Sequence, residues 1–356
     1  MSLSQFNKLL EDLERLLVEV GLHAKKRKEA LSDWQQTTHK IAYLPVHYSG
    51  PIIDYQIEYF SGNGLACKDI SLVLMHDNSP CGLWPLSATF EADGRWRIGS
   101  SGEAVLPPLF VAGLARKSVK SMTAGCFKFL VSLCAHIGQP GFDTAEPFSG
   151  GEGLSVWHDQ LMQGDAKVEL RHDLFIDLSG SLVEIKSGFR RSYKSLITSG
   201  SNLWKIQVIT VADSEQWDEF RALHRVISGR VTRSDKSWCL QHEAIASGDA
   251  FFVCLRDDAE SMVGGGLFHV TEHEGSYGVG AYDRSLFDKP LGHVVQYHAI
   301  EEMKSRGLKW YKLGPRFYPS DIPSPSDKEI TISQFKQGFA SHIFPRYEVR
   351  NASRQK

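Results

Sequence analysis

The sequence lacks the features that fasten a secreted or metal-stapled fold. It holds only six cysteines in 356 residues. No two stand as Cys-x-x-Cys, and none sits at zinc-finger spacing from histidine. Cys67, Cys81, Cys126, Cys134, Cys239 and Cys254 therefore read as reduced thiols, several of them inside apolar runs, and neither a disulfide scaffold nor a metal site is expected. No stretch approaches the ~18 apolar residues of a membrane helix. The longest candidate, Cys126 to Gly138, is interrupted by Lys128, Ser132 and His136. The start, Met1 to Lys8, has no basic region leading into an apolar one, so no signal peptide is expected. An excess of charge of one sign is also missing: 40 Lys+Arg against 42 Asp+Glu leave a net −2, which argues against a dedicated DNA binder. The expectation is a cytoplasmic protein without a transmembrane segment.

What is present is ordinary globular material: 42% hydrophobic and 23% charged residues, enough for a sizeable core and a length that suits about two domains. Residues 3–31 carry Leu3, Phe6, Leu9, Leu10, Leu13, Leu16, Leu17 and Val20 at helical spacing. They read as one helix, kinked or ended at Gly21, that packs on its own domain or mediates a homodimer. Lys25 to Lys28 read as a solvated basic face. Strands are expected at 70–75, 81–89 and 95–99, split by the turn clusters Asp77-Asn78-Ser79-Pro80 and Asp93-Gly94. A helix follows at 117–137, and the Gly- and Pro-rich stretch 138–153 marks a boundary near 150. Beyond it come a strand at 170–178, a helix from Ser181 to about 199 and a strand at 204–211. Helices at 213–227 (capped by Asp213 with Gln216 in capping-box spacing) and 235–247 come next. Strands at 251–255, 262–271 and 275–282 precede a helix at 291–306. A strand at 310–313, a helix at 328–340 and a strand at 343–349 complete the series. The domains expected are a helical segment 1–37, a domain 38–150 and a domain 151–356.

From Trp204 onward this order resembles the GNAT N-acetyltransferase superfamily, and 70–137 repeats part of it. The resemblance implies an α/β fold of two GNAT-like domains, mixed splayed sheets flanked by helices. The second is complete, the first partial, and an N-terminal helix precedes them. The usual coenzyme A cradle, Arg/Gln-x-x-Gly-x-Gly/Ala before the third helix, is missing from Tyr282 to His293. Three stretches then resemble the FemAB family of acyl- and aminoacyl-transferases. They are Phe175 to Ser179 with Phe189 to Lys194; Tyr282-Asp283 with Gln296 to Ile300 and Gly307 to Gly314; and Lys328 to Phe339. In the first domain, Asp54-Tyr55 and Gly82-Leu83-Trp84-Pro85 fit by layout.

That resemblance implies transfer of an acyl or aminoacyl group to an amine or hydroxyl of a cell-wall or surface-polysaccharide precursor, at the inner face of the membrane. Attack would be direct, without a covalent enzyme intermediate. No resident cofactor is expected, and the donor stays open between aminoacyl-tRNA and acyl-CoA. The partner is a phosphate-bearing sugar or lipid-linked precursor. Two other readings stand beside it, an acetyl-CoA-dependent acetyltransferase of an amino sugar and a non-catalytic binding module. Asp283, Tyr282 and His298 are the candidate catalytic residues, near the end of the fourth strand and on the helix after it. Lys186, Arg190 and Lys194, spaced by four, form one helix stripe and with Arg191 a candidate phosphate clamp. Arg316 and Tyr318 in the rigid loop after the fifth strand, Lys336, and Glu103 in the corresponding loop of the first domain are candidate substrate contacts.

Overall fold

The computed structural model describes residues 3–62, 64, 66–148, 150, 153–164 and 166–352, the side chains of 3–7 and 352 excepted. The side chains of Leu3 and Phe6 thus lie outside the described residues. The chain divides into two compact units, residues 1–170 with 346–356, and 171–345. This division falls later than the boundary near 150, and the last strand returns to the first unit.

The first unit opens with α1 (Leu3–Glu19). Gly21, at φ +67°, ends it, so the helix does not reach residue 31. Its apolar face (Leu9, Leu13, Leu16, Leu17) is buried within the unit. Next come β1 (Ala24–Lys26), α2 (Leu31–Thr38) and α3 (Gly50–Gly62). The basic run is not a solvated face throughout, because Arg27 is 1% exposed and bonds Asp69 and Asp54. Strands β2 (Ala66–Asp69), β3 (Leu72–His76), β4 (Ser79–Trp84), β5 (Ser87–Phe90), β6 (Trp96–Gly99) and β7 (Leu109–Phe110) form two sheets, β1-β3-β4-β7 and β2-β5-β6. The expected single strand over 81–89 breaks at Pro85, which has no N–H to give a ladder. Helix α4 (Arg116–His136) carries Cys126, Phe129, Leu130 and Leu133 into the core with Trp84 and Trp157. β8 (Gly141–Glu146) and α5 (Val156–Met162) follow.

The second unit starts within β9 (Ala166–Asp177) and continues with α6 (Leu182–Gly188), α7 (Arg191–Leu203), β10 (Lys205–Ile209), α8 (Ser214–Ser228) and α9 (Asp235–Ala246). Strands β11 (Ala250–Arg256), β12 (Met262–Val270) and β13 (Glu274–Tyr282) lead to α10 (Leu291–Ser305), β14 (Trp310–Pro315), α11 (Asp327–Gln337) and β15 (His342–Ala352). Tyr347–Ala352 of β15 pair β8 in the first unit. The expected helix over 181–199 is two helices. Ser187 and Gly188 are poor helix formers, and Phe189 leaves the helical region (ψ 155°) to bury its ring 5.2 Å from Phe339. The sheet runs β10-β11-β12-β13-β14-β9, with only the β13–β14 pair parallel. One face packs on α7 and α10 through Phe251, Val253, Phe268, Val294, Val295 and Met303; the other packs on α8 and α9 through Trp217, Phe220, Trp238 and Phe252. The fold is α/β of the expected GNAT-like kind. Among the described residues no helix is long and apolar enough to cross a membrane.

Candidate functional site

The sheet of the second unit opens between β13 and β14. Their parallel pairing covers only Glu274–Trp310, Gly275–Tyr311 and Ser276–Lys312. From Tyr277 onward β13 follows β12 alone, with a bulge opposite Leu267/Phe268. From Gly314 onward β14 follows β9, with a register shift between Lys312 and Gly314. Two strands that start paired and diverge leave a wedge, and their C-terminal loops form its mouth.

The wedge is lined by phenols and one amine. The hydroxyls of Tyr277 and Tyr282 lie 3.5 Å apart, and that of Tyr311 donates to Gln296 Oε1. Gly280 makes this packing possible, because a Cβ there would overlap the Tyr277 hydroxyl. Burial raises all three phenols above their ordinary pKa, so they stay neutral and can donate hydrogen bonds. Lys336 reaches in from α11. Its Nζ lies 5.7 Å from the centroid of the Tyr277 ring and 3.1 Å from where a Cβ of Gly314 would stand. Gly314 holds φ +111°, a conformation that favours glycine. Burial lowers the Lys336 amine from 10.5 to about 8, an effect that the Asp173 carboxylate partly opposes. Among the described residues no hydrogen bond or ion pair within 4.0 Å ties this amine. Below the wedge Lys312 and Asp173, 7% and 1% exposed, form an ion pair of 3.1 Å.

A second feature of the same unit escaped the sequence reading. The end of α8 and the turn into α9 enclose a cleft of about 250 Å3 lined by Arg221, Arg225, Arg230, Arg233, His224 and Thr232, among others. Arg221 bonds Asp218 and Asp235, and Arg233 lies over the Trp238 ring and beside His224 Nε2. Arg225 and Arg230 are exposed, and no partner binds either guanidinium among the described residues. Burial, with help from Arg233, lowers His224 to about 4, so the imidazole adds no charge at neutral pH. The signal was present in the spacing, Arg221 and Arg225 one turn apart and Arg230 and Arg233 in the following turn.

The residues expected from sequence distribute as follows. Tyr282 lines the wedge. Asp283 stands beside it and spends its carboxylate on Ser285, capping the short turn Arg284–Leu286. His298 faces away on α10, its Nδ1 2.7 Å from Glu301 and its Nε2 3.4 Å from Ser201. The single cationic stripe is not formed, because the chain breaks between α6 and α7. Lys186 stacks on Tyr297, Lys194 bonds the Ser187 carbonyl, Arg190 lies over Tyr193, and Arg191 is exposed at the start of α7. Arg316 stacks on Tyr318 at 4.4 Å and bonds Gln337 and Ser333 of α11. Glu103 is exposed in the first unit, its backbone bonded to Ser100.

A splayed mixed sheet in the second unit and a partial copy of its element order in the first define the class: an α/β fold of two GNAT-like units. No known family matches the sequence, and no curated protein matches it. Among solved structures the chain is similar to that of FemX, with TM-score 0.63, 10% identity, and 92% of this chain and 96% of that one covered. It is also similar to L-PGS from Bacillus licheniformis (TM-score 0.56, 12% identity, 91% and 92% covered). A third likeness is to the C-terminal domain of a putative lysylphosphatidylglycerol synthetase from Agrobacterium fabrum (0.52, 12%, 90% and 92%).

Proposed function

We propose that the protein is an acyl- or aminoacyl-transferase that works on an amine or hydroxyl of a phosphate-bearing cell-envelope precursor. The observation that carries this reading is the half-buried ammonium of Lys336, untied among the described residues, beside the neutral phenols of the wedge. Direct acyl transfer forms a bond from the acceptor nitrogen or oxygen to the carbonyl carbon and breaks the bond to the donor oxygen. The proton lost by the acceptor ends on that oxygen. The intermediate carries an oxyanion, and a preorganised cation in a desolvated site stabilises it strongly. Lys336 supplies the cation, and Tyr277 and Tyr282 supply neutral hydrogen-bond donors. Arg225 and Arg230 hold the phosphates of the acceptor, for which planar guanidinium groups are well matched. The likeness to proteins named FemX and lysylphosphatidylglycerol synthetase supports the same chemistry.

The start of α10 speaks against a coenzyme A donor. A Cβ at Gly292 would meet the Phe335 ring at 3.3 Å and the Tyr282 ring at 3.9 Å, so aromatic rings cover the turn where a pyrophosphate cradle would be. Of the two donors, aminoacyl-tRNA is the one we favour. A thermal-shift panel tests the reading with acetyl-CoA, bulk aminoacyl-tRNA and nucleotide sugars. Nucleotide sugar and aminoacyl-tRNA are expected to stabilise the protein. A ligand at 1,000 times its dissociation constant adds about 4 kcal/mol. Stabilisation by acetyl-CoA alone would overturn the assignment of donor.

A further inference from the structure

We propose that the first unit carries a binding site for a neutral saccharide, in the cavity between the edges of β6 and β8.

The cavity measures about 450 Å3, within the range of small-molecule sites. β6 is the outer strand of the sheet β2-β5-β6, and β8 is the outer strand beside β15. Because both are sheet edges, residues from either face of each strand can line the space between them. The charged lining balances: Glu91, Asp93 and Asp143 stand against Arg95, Arg97 and Arg350. A cavity without net charge selects neither a phosphate nor an amine, which sets it apart from the arginine cleft of the second unit. Its charged groups are not used up on one another. Arg350 Nε bonds Asp143 at 2.8 Å, whereas Arg97 stands 3.7 Å from Glu91 and 3.9 Å from Asp143, beyond hydrogen-bond range of both. Arg97 thus keeps donors, and Glu91 and Asp143 keep acceptor positions, for a ligand. Asn351 in the same lining is 7% exposed, and its Nδ2 has no acceptor among the described residues. Burying a donor is costly unless something brings it an acceptor. The apolar part of the lining is Trp96, Phe142 and Pro140. Planar side chains with paired donors or acceptors match the neighbouring hydroxyls of a sugar ring, and the C–H face of that ring lies well on an aromatic ring. The wall is also braced in advance. Gln139 Oε1 accepts from Ile98 N at 2.8 Å and its Nε2 donates to the Gly141 carbonyl at 2.6 Å, which ties the turn before β8 to β6. The inference rests on the transferase reading only for the sugar's role as part of the acceptor.

The test is a titration of the full chain labelled with 15N-tryptophan and read from its indole N–H signals, the Trp96 signal being assigned by Trp96→Phe. The probe is N,N′-diacetylchitobiose. The Trp96 signal is expected to shift and saturate at millimolar concentration or below, alike in low and high salt because the sugar carries no charge. Arg97→Gln loses no hydrogen bond within the protein and is expected to weaken binding about tenfold. The dispersion of the other indole signals reports that each variant is folded. An unmoved Trp96 signal, an affinity unchanged by Arg97→Gln, or a tighter response to glucose 1-phosphate than to the disaccharide each overturns the proposal. Binding is read without donor or turnover. A protein that binds the sugar and transfers nothing would sink the functional reading alone, and transfer without a Trp96 response would sink this inference alone.

Discussion

Replacing Lys336 by methionine should make the protein more stable at neutral pH while removing its function. The amine titrates near 8 in the fold against 10.5 when solvated. Each pKa unit is worth 1.36 kcal/mol, so holding the protonated amine in the wedge costs about 3 kcal/mol below pH 8. The sign follows from proton counts. Between pH 8 and 10.5 the unfolded chain binds more protons than the folded one, so the parent gains stability as pH rises through that window. Methionine fills a similar volume and carries no charge. The variant should therefore exceed the parent by about 3 kcal/mol at pH 7, with the difference shrinking steadily from pH 8 to pH 10.5. Urea unfolding of both proteins at several pH values measures it. A variant less stable than the parent at pH 7, or a difference that ignores pH across that window, would show that Lys336 is not a desolvated cation.

Other consequences can be checked separately. Arg225→Ala with Arg230→Ala should leave urea stability within about 0.5 kcal/mol, because neither side chain has a partner to lose. It should also weaken binding of a nucleotide sugar and flatten its salt dependence, as titration calorimetry at two ionic strengths would show. Gly314→Ala places a Cβ 3.1 Å from Lys336 Nζ at a φ of +111°. A cost of about 1–3 kcal/mol in unfolding free energy is expected, with a displaced and more reactive Lys336 amine. Arg27→Met strands the buried Asp69 carboxylate and should cost about 3–5 kcal/mol. That loss should be recovered in part by Arg27→Met with Asp69→Asn.

Much of the fold was legible because its second unit has strong periodicity and clear stops. Gly248 and Gly307 follow helix ends where the structure has them. The failures have local causes. The helix at 181–199 breaks because Phe189 gains more by burial against Phe339 than by continuing a weak Ser-Gly turn. Helix α3 was missed because Gly50-Pro51 opens it and tyrosines fill it; Tyr55 and Ile53 are buried by packing that no single face of the sequence announces. The site was half legible. Tyr282 and Lys336 were named, yet their meeting depends on where β13 leaves β14, which is a register event between distant strands. The stripe expected from Lys186 to Lys194 was counted across a helix break, so its cations do not share one helix face. The cleft at 221–233 needed the turn between α8 and α9 to bring its arginines together.

The most direct test of the central claim is a transfer assay with the full chain. Bulk aminoacyl-tRNA carrying labelled amino acids is combined with nucleotide-linked and lipid-linked envelope precursors, and labelled product is followed by mass spectrometry for the parent and Lys336→Met. The parent should yield an aminoacylated precursor, and Lys336→Met should be slower by about 10²–10³-fold, the usual loss when an oxyanion-stabilising group is removed. Product formation at the parental rate by Lys336→Met would contradict the account.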